Sequence, residues 1–337
     1  MKKRIFALFL SALLLVTVLC ACGDESQSEV GGTGSDGTST SGEAVTGGEL
    51  VVGISQDLGD SLDPYQMTAA GTREVLFNVY EGLVKPTSTG EYVPAVASDS
   101  TVSEDGLTYT FPLREGVLFH NGEEVTTDDV IYSFETCAET TVDTALAAAL
   151  SAVESVTADG NTITVTLSEA NPDFLSYVGM VYIVPDDYTD QATAPVGTGP
   201  FRFVSRSVQQ NLVMEKFADY WGEGASLDKV TFQIFEDSNA LMSALSAESV
   251  DMAVHLTIDQ VNTIGEGTYK TLEGTMNLVQ ALYLNNAVEP FDNELVRRAL
   301  SYAVDKQGII DLAFDGYGSP IGSSMYPAFG KYFDESL

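Results

Sequence analysis

From Glu49 onward the hydrophobic pattern switches repeatedly between a period of two and a period near 3.6, which separates strands from helices. Glu49–Ile54 reads as a strand, followed by a loop through Ser61-Leu62-Asp63-Pro64-Tyr65. A helix is predicted from about Thr72 to Tyr80, with Val75, Leu76, Val79 and Tyr80 on one face. Two hairpins follow. Glu104-Asp105-Gly106 joins Ser98–Val102 to Leu107–Leu113, and Asp159-Gly160-Asn161 joins Ala152–Val156 to Thr162–Leu167. Between them a helix starts near Thr127, its first turn holding Asp128 and Asp129, which complement the helix dipole. After Pro185 the pattern predicts strands at Phe201–Val204, 211–216 and 229–235. It then predicts a helix capped by Ser238, with Ala240, Leu241, Ala244 and Leu245 inward. Short strands at Asp251–His255 and Met276–Leu284 precede a helix capped by Asp292 and running through Ala303. Leu295, Val296, Ala299, Leu300 and Ala303 form its buried stripe. There is no internal repeat, and hairpins mixed with βα units give an α/β class.

The N-terminal segment has a different pattern. Lys2, Lys3 and Arg4 precede an apolar run from Ile5 to Val18, then Leu19-Cys20-Ala21-Cys22-Gly23. This is the order of an export signal, and the run is too short for a good membrane span. The tetrad resembles the bacterial lipobox, which makes residues 1–21 a signal peptide and Cys22 the lipidated first residue of the mature chain. Residues 22–48, rich in Gly, Ser and Thr, read as a flexible tether. The expected location is the extracytoplasmic face of the cell membrane, held by the lipid anchor.

Charge excludes one class of partner. All 49 acidic residues follow the signal, whereas three of the 15 basic ones lie within it, and the net charge is −34. Nucleic acid and anionic lipid surfaces are poor partners for such a chain. Side-chain chemistry finds little support. The two histidines, His120 in a turn and His255 at a strand end, lack metal-ligand spacing. No nucleophile elbow, zinc-protease helix, P-loop or calcium loop is present. Cys137 falls at helical spacing with Val130 and Phe134 and reads as a small core residue. Trp221 reads as a packed turn aromatic rather than a ligand platform. No catalytic residue, metal or cofactor is therefore expected.

Several segments then stand in a telling order. They are Leu62-Asp63-Pro64, Tyr80-Glu81-Gly82-Leu83, Pro94-Ala95-Val96-Ala97, the block 104–135, Val196-Gly197-Thr198-Gly199-Pro200-Phe201, and the blocks 218–232 and 282–310. This order resembles the family 5 extracellular solute-binding proteins, the capture subunits of ABC importers. The resemblance implies a bilobed periplasmic-binding-protein-like α/β fold with an inserted hairpin-rich subdomain and an incomplete second lobe. It assigns 49–90 and 191–281 to the first lobe, 91–190 to the inserted subdomain that interrupts it, and 282–337 to the start of the second lobe. It implies a monomer that captures an oligopeptide or dipeptide in an interlobe cleft and delivers it to ABC permease subunits. A nickel chelate, another solute, or a sensor role on the same fold are the alternatives, and an exported hydrolase is disfavoured. By analogy, ligand contacts fall on Thr68, Ala70, Gly71, Thr72 and Arg73. Arg73 either pairs with an acidic ligand group or is solvated at the helix start. In the strand near 282, Leu282 and Leu284 are expected to face the core, leaving Ala281, Tyr283 and Asn285 toward the cleft.

Overall fold

The computed structural model describes residues 46–264, 269–274, 279–322, 325 and 333. The signal-like segment, Cys22 and nearly all of the tether lie outside the described residues. In chain order the elements are β1 (Glu49–Ile54), α1 (Ala70–Leu76), β2 (Val84–Pro86), β3 (Tyr92–Pro94), β4 (Thr101–Val102) and β5 (Thr108–Pro112). Then come α2 (Thr127–Thr140), α3 (Thr144–Leu150), β6 (Val153–Asp159), β7 (Thr162–Leu167), α4 (Phe174–Val178) and β8 (Phe201–Ser207). The rest are β9 (Asn211–Lys216), β10 (Lys229–Ile234), α5 (Ser238–Ser246), β11 (Met252–Ala253), α6 (Ile258–Ile264), α7 (Glu294–Ala303) and α8 (Lys306–Ala313).

A five-stranded sheet in the order β11-β1-β10-β9-β8 carries the region that matters for function. β1 runs parallel to both β10 and β11, while β9 and β8 add antiparallel strands beyond β10. Alternation along β1 divides the layers. Val52 and Ile54 pack into the main core with Val75 and Leu76 of α1, whereas Val51 faces the smaller cluster of Leu241 and Leu245 on α5. α1 and α5 thus cover opposite faces of the parallel strands. A separate four-stranded antiparallel sheet, β4-β5-β7-β6, contains both predicted hairpins. The Asp105-Gly106 turn holds Gly106 at φ 72°, where only glycine sits without strain. The main core is continuous from Val52 and Met214 of the first sheet to Phe111 and Val165 of the second, and includes Val130, Phe134 and Cys137 of α2. Burial pushes the Cys137 thiol up to about 12, so it is a packing residue.

α2 begins where the acidic first turn places it. Thr126 accepts from the Asp129 amide, and the Asp129 carboxylate accepts from the Thr126 amide in a capping box. Several boundaries move. α1 spans 70–76, not 72–80, because the Asn78 and Val79 carbonyls leave the helix to accept from the amides of Phe201 and Gly199. α5 is capped by Asp237 rather than Ser238, and Ala240 is exposed while Leu241 and Leu245 are buried. Asn293, not Asp292, caps α7 by accepting from the Leu295 amide at 2.9 Å. The short helices α3 and α4 escape the pattern because one or two turns cannot establish a period.

The largest correction concerns the strand expected at 276–284. Residues 275–278 lie outside the described residues, and 279–285 are irregular. Leu282 is 76% exposed and Tyr283 is 91% exposed, so neither alternates into a core. The apolar stripe of α7 is not buried either; Leu295 is 71% exposed, and Leu312 of α8 88%. No residue of α7 or α8 is buried, and Val296 and Leu300 of the stripe are half-buried.

Candidate ligand-binding site

The parallel strands β11, β1 and β10 end on the same edge of the sheet, and the N-terminal half of α1 stands beside that edge. A concavity of about 530 Å³ opens there. Such a crevice beyond the carboxyl ends of parallel strands is where open α/β sheets hold ligands. Its apolar wall is Val52 and Ile54 of β1, Val75 of α1, Phe232 of β10 and Val254. Gly71 also lines it, and its polar groups are Ser55, Gln56, Glu74 and His255. His255 Nε2 donates to Glu74 Oε2 at 2.8 Å, joining the end of β11 to α1. Both side chains remain 54% exposed, so the pair stands in solvent contact. His255 adopts φ 57°, a left-handed conformation that costs a non-glycine residue about 1–3 kcal/mol and is concentrated at functional sites. The side chains of Ser55 and Gln56 have no hydrogen-bond partner among the described residues.

Of the residues expected to touch ligand, only Gly71 lines this concavity. Thr68 and Ala70 are exposed outside it. Thr72 is buried, and its Oγ1 accepts from the Gly59 amide at 2.8 Å, which fixes the preceding loop. Arg73 is engaged within the chain, with its side chain 38% exposed. Its Nη1 pairs with Asp143 at 3.0 Å, and Nε and Nη2 both donate to the Met67 carbonyl. The Leu146 amide, and then Arg73, hold the Asp143 carboxyl below the usual range. Ala281, Tyr283 and Asn285 are exposed and lie away from the concavity, since the strand meant to orient them is not formed in the described residues. Glu74 and His255 are the site residues that the sequence pattern does not single out. Glu74 lies three positions beyond Gly71, hence on the same helix face, and that spacing is the signal that points to it. His255 enters the sequence reading only as one of two histidines without metal-ligand spacing.

The other candidates resolve as scaffold. Among the described residues there is no group of three potential metal-ligating side chains. Trp221 donates from Nε1 to Glu81 at 2.8 Å, and the Arg114 guanidinium lies 4.4 Å from its ring centroid. Glu81 is buried and also accepts from Lys85 and from the Tyr220 hydroxyl. Burial, with the Glu81 charge beside it, pushes the Tyr220 hydroxyl up, keeping it a donor. Trp221 is therefore one corner of a saturated network.

A model of the bacterial extracellular solute-binding proteins, family 5, middle region, matches residues 91–336. The chain belongs to this family. Heme-binding protein A of Haemophilus influenzae is 32% identical over 292 residues, covering 76% of this chain and 53% of that protein. Glutathione-binding protein GsiB of Pectobacterium atrosepticum is 28% identical over 270 residues, covering 77% and 52%. Among solved structures, the periplasmic binding protein DppA of Helicobacter pylori, in complex with the peptide STSA, superposes with a TM-score of 0.67 at 28% identity, covering 82% of this chain and 60% of that one. The family 5 chain spans about half the length of the curated relatives it matches. No helix among its described residues is long and apolar enough to cross a membrane.

Proposed function

We propose that the protein captures a small extracellular solute, an oligopeptide or dipeptide first among the candidates, and delivers it to the permease of an ABC importer. The observation that carries the reading is the family match, which coincides with a partly apolar concavity at the carboxyl edge of parallel strands. The peptide in the Helicobacter pylori relative supports a peptide over other solutes, while two relatives are named for heme and glutathione. The role is binding without covalent chemistry, by a monomer. Capture is followed by closure around the ligand and release to the membrane partner. Titration calorimetry of the full chain against a hydrophobic tripeptide, glutathione and heme tests it. Saturable one-to-one binding of the tripeptide is the expected result. No saturable heat from any of the three would overturn the named solutes, and binding of heme alone would overturn the peptide assignment.

We also propose that Cys22 carries the diacyl anchor that holds the protein at the extracytoplasmic face. Its support is the tetrad Leu19-Cys20-Ala21-Cys22 behind a basic start and an apolar run. Cys22→Ala is expected to move the protein from the membrane fraction to the medium or to leave it unprocessed. Unchanged membrane association with an unchanged mature mass would refute the anchor.

A further inference from the structure

The Glu74–His255 pair is unusual in its setting. It is the ionisable feature of a partly apolar crevice, it links the segment after β11 to α1, and one partner sits in a left-handed backbone conformation. Neither group is buried, so the contact is not a structural ion pair of the kind a core demands. A half-exposed pair of this type contributes little to folding. What it does is hold a carboxylate at the mouth of an apolar cavity with a displaceable partner.

We infer that this carboxylate is the recognition point for a solute carrying a protonated amine or guanidinium next to an apolar group, with the imidazole of His255 occupying the cation's place until the solute arrives. The inference rests on the solute-capture reading and names the ligand chemistry of the same crevice. Three observations choose a cationic ligand over an anionic one. Glu74 is the one carboxylate among the described lining residues, and no lysine or arginine stands among them. The chain as a whole carries −34, and its field concentrates cations and repels anions at such a mouth. The Ser55 and Gln56 side chains, without a hydrogen-bond partner among the described residues, offer oxygen acceptors for an ammonium in the same lining. The apolar body then covers Val52, Ile54, Val75, Phe232 and Val254, replacing water on the crevice wall.

The chain has two histidines, so the imidazole resonances of the full-length protein form two sets, and His255→Gln assigns them by deleting one. Titration with isoamylamine, isoamyl alcohol and isovalerate compares an ammonium, a neutral group and a carboxylate on similar apolar bodies. Isoamylamine is expected to give a saturable displacement of the His255 signals. The alcohol should bind at least about tenfold more weakly, and isovalerate should leave the signals in place. Glu74→Gln should remove the amine response, while the half-buried His120 signals stay unchanged and report an intact fold. If the His120 signals are lost in that variant, the three-probe comparison in the unsubstituted protein decides alone. Equal responses to amine and alcohol, a response to isovalerate, or none to any probe would overturn the inference. Because the small probes read the crevice directly, a null calorimetric panel with a positive amine response would sink the proposed solutes and leave the subsite standing. Tripeptide binding with no amine response would do the reverse.

Discussion

Gly197→Ala is expected to lower folding stability by about 3–5 kcal/mol, a large part of the 5–15 kcal/mol that holds a typical domain together. A Cβ at Gly197 would lie 2.8 Å from Tyr80 Cδ1 and closer still to the Val79 carbonyl oxygen. A Cβ at Gly199 would meet the Asn78 carbonyl in the same way. These neighbours are backbone and a buried ring, so relief requires moving a chain segment and not a flexible side chain. The segment is pinned on both sides. Gly199 N donates to Val79 O at 2.9 Å, Phe201 N to Asn78 O at 3.1 Å, and His120 N to Gly197 O at 2.9 Å. Opening any of them exposes unpaired backbone groups at about 1–3 kcal/mol each. Chemical denaturation of the Gly197→Ala protein beside Gly274→Ala is the check. Gly274 has nothing within 4 Å of an added Cβ and should shift little. A Gly197→Ala protein within about 1 kcal/mol of the parent would show that the 197–199 segment yields easily.

That prediction also marks what the sequence could and could not express. The Gly-Thr-Gly-Pro segment reads as a chain reversal, and it is one, but neither Gly197 nor Gly199 has a positive φ. Their need is room for a carbonyl arriving from residues 78 and 79, more than 110 positions away, which no local pattern encodes. The strands were legible because alternation is a local property, and β5, β7 and β9 each bury alternate residues. The same rule failed at Leu282, since alternation predicts a face only where another layer is present to cover it. Of the residues the sequence offered as ligand contacts, only Gly71 of α1 lines the concavity, and Arg73 is claimed by Asp143, a partner from the cap of α3, a helix too short to be read. Glu74, one position further, is left facing the crevice, and its partner His255 is set there by β11, whose place beside β1 only the parallel pairing reveals.

His120 should make the protein lose stability in mild acid, beginning below about pH 6.5. Burial is the main cause that pulls its pKa from 6.5 to about 4, and the charge of Arg202 adds to it, against the opposing hydrogen bond to Gly199. The geometry explains why a second proton is unwelcome. Nε2 donates to the Gly199 carbonyl at 2.9 Å, while Nδ1 accepts from the Gly197 amide at 3.3 Å, and Phe217 packs edge-on against the ring. A proton on Nδ1 would set two N–H groups against each other in a site with little water. The folded pKa lies below the unfolded one, so between them the unfolded chain holds a proton that the folded chain does not. Stability from this group is therefore complete above about pH 6.5, falls as pH drops through the interval and is gone below about 4, a loss of about 2–3 kcal/mol. His120→Gln supplies a neutral amide that accepts from one backbone group and donates to the other without titrating. Denaturation midpoints measured at intervals from pH 7.5 to about 4 for both proteins isolate the imidazole, because the carboxylate contributions are common to both and cancel. The parent should lose stability faster than His120→Gln between about pH 6.5 and 4, with parallel curves above. Parallel curves throughout would mean that the imidazole takes up its proton in the folded state, and that the clamp on the Gly197–Gly199 turn opens without cost.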